Sequence, residues 1–82
     1  MASPTRTVAD VVDLVEVRRI ARSGEARAIR ERAGLSLREV ASAVGVTRSA
    51  LQRWETGTRA PGGELAGRYG ALLAALEASS HE

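Results

Sequence analysis

The 82-residue chain has no cysteine and no lysine, and it has a single histidine. Without cysteine there is no disulfide framework and no thiolate metal site, and a reducing, cytoplasmic location is the one expected. His81 stands in a polar C-terminal tail, where it cannot anchor a histidine-based triad or a metal cluster. No glycine-rich phosphate loop occurs, since Gly62-Gly63 alone does not make one. The ten acidic residues are scattered without a pair at catalytic spacing. An enzyme is therefore not expected, and neither is a metal or a cofactor. The chain also lacks an 18-residue apolar span and a signal peptide's apolar core, so no membrane partner is expected. Nor does its length leave room for a separate ligand-binding domain.

What the chain has in quantity is arginine, which supplies all twelve basic residues. A GC-rich coding sequence produces that usage without functional demand, but the distribution is uneven. Residues 18–59 carry ten arginines against Glu25, Glu31, Glu39 and Glu55. The flanks are acidic, with Asp10, Asp13 and Glu16 on one side and Glu64, Glu77 and Glu82 on the other. A basic centre between acidic ends suits a polyanion contacted by the middle of the chain.

That middle holds the most ordered pattern. Ser36 with Glu39 three residues later has capping-box spacing, and Val40, Ala41 and Val44 follow on one helical face. Gly45 stands where a helix C-terminus takes a left-handed residue. Thr47 can cap a second helix, with Ala50, Leu51 and Trp54 on its apolar side and Arg48, Ser49, Gln52 and Arg53 on the other. Two short helices held by a tight turn form a helix-turn-helix, whose second helix enters the DNA major groove. Trp54 shares the apolar side with Leu51 and is expected in the core, not stacked on a base.

The sequence here resembles the Xre-type helix-turn-helix domains of phage repressors, Cro proteins and their bacterial relatives. The resemblance rests on Gly34-Leu35-Ser36, Val40-Ala41, Gly45-Val46-Thr47, Leu51, Trp54-Glu55, Gly57 and Pro61, in order and at family spacing. It covers residues 23–76. It implies an all-α fold of about five helices, with one addition at the N-terminus. It also implies that Glu55 pairs with Arg30 and ties the second motif helix to the scaffold. Leu37 departs from the pattern, because many relatives place there a glutamine that hydrogen-bonds DNA phosphate.

The remaining chain fits one domain over residues 7–78. Thr7 can cap a helix over 7–22, where Asp10, Asp13, Glu16 and Arg19 recur in steps of three. Its many valines lower helix propensity and keep an extended segment open. Its apolar surface exceeds what one side of a small domain needs, so it packs on the core, on a second copy, or on both. Gly24 to Ala33 reads as the next helix, with Ala26, Ile29 and Ala33 buried and Gly34 ending it. Residues 36–57 are the helix-turn-helix and 63–78 the last helix, which buries Leu65, Tyr69, Leu72, Leu73 and Leu76. Tyr69 is expected to hold its hydroxyl at the rim. Ala66, Gly70 and Ala74 form a line of small residues that permits close helix approach. Residues 1–6 and 79–82 are expected to be disordered.

In this docking mode Arg48, Ser49 and Gln52 are expected to reach base edges, with Arg53 next and a phosphate its alternative; arginine can bond guanine and glutamine adenine bidentately. Ser36, Arg38, Thr47 and Arg59 are the expected phosphate contacts. The expected partner is double-stranded DNA, bound by a homodimer that spans two half-sites about 34 Å apart. The N-terminal helix and the small-residue line of the last helix are the two candidate dimer surfaces. The function expected is a small Cro- or repressor-like transcription regulator acting by operator occupancy. An antitoxin, an excision-control factor and a protein-interaction module are the alternatives.

Overall fold

The computed structural model describes residues 7–79. It contains α1 (Val8–Arg22), α2 (Glu25–Arg32), α3 (Leu37–Val44), α4 (Arg48–Glu55) and α5 (Gly63–Ser79). The fold is all-α, and among the described residues no strand occurs. No described helix is long and apolar enough to cross a membrane. Ser79, expected in the tail, closes α5. The expectations for residues 1–6 and 80–82 lie outside the described residues.

α1 is helical in spite of its valines: a capping box starts it, and one face packs on the rest of the fold. Thr7 Oγ1 accepts from the Asp10 amide, and Asp10 accepts in return from the Thr7 amide, both at 3.1 Å. This reciprocal capping satisfies two of the amide donors that a helix start leaves unpaired. One face of α1 buries Val17 and Ala21, with Leu14 and Ile20 packed at the margin. The opposite face carries Val8, Val11, Val12 and Val15, all exposed.

α1 lies mainly on α5 and also touches α2 and α4. The approach to α5 is close because Gly70 has no side chain: a Cβ there would stand 2.6 Å from Val17 Cγ2. Of the three small residues in line, Ala66 is buried and Gly70 half-buried, and both fit the expectation of close approach. Ala74 faces solvent and takes no part.

α2 starts one residue later than the sequence suggested. Gly24 stands outside it as a left-handed cap at φ 90°, and Ser23 Oγ accepts from the Glu25 amide. Ala26 and Ile29 are buried as expected, but Ala33 is exposed. The i+7 position fails because α2 ends at Arg32, leaving Ala33 as its C-cap beyond the last helical turn. The inward surface at that end belongs to Arg30 instead.

The core is closed by Val40, Ala41 and Val44 of α3, Leu51 and Trp54 of α4, and Tyr69 and Leu73 of α5. The Trp54 and Tyr69 rings meet at 5.2 Å between centroids, tilted by 41°, a distance within the favourable range for aromatic pairs. Tyr69 corrects a further expectation. Its hydroxyl is not at the rim but fully buried, and no described group hydrogen-bonds it. Burial pushes its ionisation well above the ordinary phenol range, with nearby Glu55 adding to the shift and Arg30 opposing it.

Candidate nucleic-acid interface

The corner between α3 and α4 is built from short-range hydrogen bonds. Ser36 Oγ accepts from the Glu39 amide at 3.1 Å, and Glu39 Oε1 accepts from the Ser36 amide at 2.9 Å. The amide and hydroxyl of Ser36 hold the Glu39 carboxyl below its ordinary range. At the far end Gly45 takes φ 94°, which a side chain would disfavour. The amides of Gly45 and Val46 both donate to the Ala41 carbonyl, at 2.8 and 3.0 Å. Thr47 Oγ1 then accepts from the Ala50 amide at 3.0 Å and starts α4. Three residues therefore turn the chain, with a cap on each of the helix ends they join.

α4 has two sides of opposite chemistry. Leu51 and Trp54 are buried, and Ala50 is half-buried. Arg48, Ser49, Gln52 and Arg53 all face solvent. No ion pair engages Arg48 or Arg53 among the described residues. Their guanidinium groups are free to meet an external acceptor.

The C-terminal end of α4 is anchored. Arg30 Nε donates to Glu55 Oε2 at 2.7 Å, and its terminal nitrogen donates to Glu55 Oε1 at 3.0 Å. The other terminal nitrogen donates to the Leu35 carbonyl at 2.9 Å. Both side chains are nearly buried, at 11% and 5% exposure. Such a bidentate fork fixes angle as well as distance. α4 is thereby tied to α2 and to the segment leading into α3.

Arg38, Thr47 and Ser36 are exposed beside this corner, and Arg59 is exposed in the turn that follows α4. The Arg59 amide donates to the Arg53 carbonyl at 3.2 Å, which folds that turn back over the last turn of α4. The Ser36 hydroxyl oxygen accepts the Glu39 amide in the cap, a bond that does not use its O–H. Leu37 is half-buried against the core, so the residue that departs from the family pattern is used for packing. Every expected contact residue thus lies on α3, on α4 or in the segments flanking them. Among the described residues, no three His, Cys, Asp or Glu side chains gather as metal ligands.

Two residues of this neighbourhood carry no mark in the sequence as contact residues. Arg18 and Arg22 of α1 line a small pocket together with Arg59 and Trp54. Both belong to the basic centre of the chain, and that is the one signal they give. Nothing in their spacing places them beside a turn some 40 residues away.

A family model described as helix-turn-helix matches residues 27–74. No curated protein and no solved structure matches the chain.

Proposed function

The chain belongs to the helix-turn-helix family, and from that premise we propose that it is a sequence-specific regulator that binds operator DNA as a dimer. The observation that carries this reading is the outward face of α4. Arg48, Ser49, Gln52 and Arg53 are exposed together on a helix whose opposite side is sunk in the core and whose end is locked by Glu55. A rigid helix presenting polar side chains without internal partners suits base readout in the major groove.

In this reading Arg48, Ser49 and Gln52 contact base edges, with Arg53 at the far end of the same face. Arg38, Thr47 and Arg59 hold phosphates and set the register. Ser36 contributes through the α3 N-terminus, where the Leu37 and Arg38 amides precede the capped Glu39 amide and can receive a phosphate oxygen. One α4 covers only a few base pairs. Two copies spaced by about one helical turn give useful specificity, and bound across a promoter they act by occupancy.

The test is binding of the full chain to duplex DNA from its own upstream region, against scrambled duplex, across a salt series. Sequence preference with a steep salt dependence supports the reading. Arg48→Ala with Gln52→Ala should remove the preference while the helical signal stays, each bidentate pairing with a base being worth about 1–3 kcal/mol of discrimination. Binding to neither duplex at low salt ends the DNA reading.

A second reading, an interaction module on the same scaffold, is favoured by one observation, the exposed valine face of α1. It predicts a protein partner that dissociates when that face is made polar and a chain indifferent to DNA.

A further inference from the structure

We propose that Arg18 and Arg22 of α1, outside the segment that matches the helix-turn-helix family, join Arg59 inside it in a clamp that holds one phosphodiester group of the DNA backbone. The inference rests on the DNA-binding reading above and extends it to a helix that the family match leaves out.

The clamp is formed where the last turns of α1 meet the chain leaving α4. Gly57 lies directly on α1: a Cβ there would stand 3.5 Å from Arg22 Cβ and 3.8 Å from Arg22 Cα. Arg18 Nε donates to the Pro61 carbonyl at 2.9 Å. A Cβ on Gly62 would stand 3.5 Å from Arg18 Nη2. Between these contacts lies a pocket of about 90 Å³, lined by Arg18, Arg22 and Arg59 and floored by Trp54 and Pro61.

The charge of the pocket is one-sided. Three arginines line it, and no aspartate or glutamate does. Arg22 and Arg59 have no ion-pair partner among the described residues. Arg18 spends its Nε on a neutral carbonyl, which orients the group without neutralising it. The ion-paired arginines lie elsewhere: Arg19 pairs with Glu16 and Glu25, Arg27 with Glu31, Arg30 with Glu55 and Arg68 with Glu64. Arg22 and Arg59, like Arg48 and Arg53 of α4, are left to an external anion. Three cationic side chains around one small pocket favour an oxyanion there. The planar arginine fork matches phosphate geometry.

Position selects the DNA backbone as the source of that anion. Trp54 is on α4, and the Arg59 amide bonds the Arg53 carbonyl, so the pocket sits at the end of the proposed reading helix. A phosphate flanking the groove that α4 enters is the nearest polyanion in this docking mode. The acidic residues of α1, Asp10, Asp13 and Glu16, line a separate groove against α5.

The experiment compares full-length wild type, Arg22→Gln and Arg27→Gln on one mixed-sequence duplex and one upstream duplex, each across a salt series. Arg22 has no internal ion-pair partner, so Arg22→Gln should leave the thermal midpoint in place. It should lower the slope of log K against log salt measurably and by no more than about 0.9, the value of the one phosphate contact the three arginines share, equally on both duplexes. Arg27→Gln removes the same charge outside the pocket and should leave the slope unchanged. An unchanged slope for Arg22→Gln, or an equal drop for Arg27→Gln, overturns the clamp and leaves the DNA reading standing. Failure of wild type to bind either duplex overturns both. In a parallel arm, inorganic phosphate is titrated while Trp54 fluorescence is followed. A response abolished in Arg22→Gln, with the DNA slope unmoved, means a free-anion site and also overturns the clamp.

Discussion

α4 and α1 divide their residues in opposite ways. α4 buries Leu51 and Trp54 and shows solvent its arginines, serine and glutamine. α1 buries Val17 and Ala21 and shows solvent four valines. In α4 the single chain accounts for every position, either by packing or by an outward polar face. In α1 it accounts for only one side, and the outward apolar face is what remains unexplained by the monomer fold. The lesson is that an element's fit to the fold and its fit to solvent are separate tests. An element that passes the first and fails the second points beyond the chain.

The sharpest way to break the α4 side is at its anchor. Glu55→Ala leaves the nearly buried Arg30 with only the Leu35 carbonyl. Removing one partner of a buried pair costs about 3–5 kcal/mol, a large share of the roughly 5–15 kcal/mol that stabilises a small domain. The thermal midpoint should fall by more than about ten degrees, since about 1 kcal/mol moves a domain of this size by roughly 4–8 °C. Arg30→Met combined with Glu55→Leu should recover most of the loss, because it leaves no stranded charge and only the Leu35 carbonyl without its donor. A double variant as unstable as the single one would mean that the cost lies in packing rather than in the stranded charge.

On the α1 side two glycines of one helix should respond with opposite signs. Gly70→Ala places a methyl 2.6 Å from Val17 Cγ2, and the β-branched Val17 cannot swing away freely. Overpacking of this kind costs about 1–3 kcal/mol, so α1 lifts from α5 and the midpoint falls. Gly67→Ala meets nothing within 4 Å and should stabilise by about 0.5–1 kcal/mol through helix propensity alone. Paired thermal melts check both. A stabilised Gly70→Ala would mean that α1 sits further from α5 than described.

The same contrast decides what can be read from the sequence. The α3–α4 corner is legible because its signals are local: Ser36 with Glu39, Gly45, and Thr47 each act within four residues. The order of the five helices follows from periodicity and capping. α1 is harder, because valines on both faces erase the periodic signal that marks the inward side. Its valines leave an extended segment open, and the Thr7–Asp10 cap and the packed face decide for the helix. Ala33 reads as buried because spacing cannot show that α2 stops one residue short of it. The burial of the Tyr69 hydroxyl depends on how Trp54 and Glu55 stand across from α5, and no local pattern records that. Arg18 and Arg22 gain their surroundings only from a turn far away in the chain, so no local pattern marks them as contact residues.

The smallest effect expected is also the most discriminating for α1. Val12 is 60% exposed in the middle of the valine face. Serine and valine have similar helix propensities, so in Val12→Ser the backbone term nearly cancels and only the outward surface changes. For a lone chain the substitution should move stability by less than about 0.5 kcal/mol. Four valines are a fraction of the roughly 800 Å² per partner that a standard interface buries, so they should not hold two free chains together. Thermal midpoints of wild type and Val12→Ser should therefore agree, and neither should depend on protein concentration. A wild-type midpoint that rises with concentration, and does so no longer in Val12→Ser, would show that the face is covered in solution, because association stabilises by mass action. In that event α1 would pass the solvent test after all, and the dimer would exist before DNA.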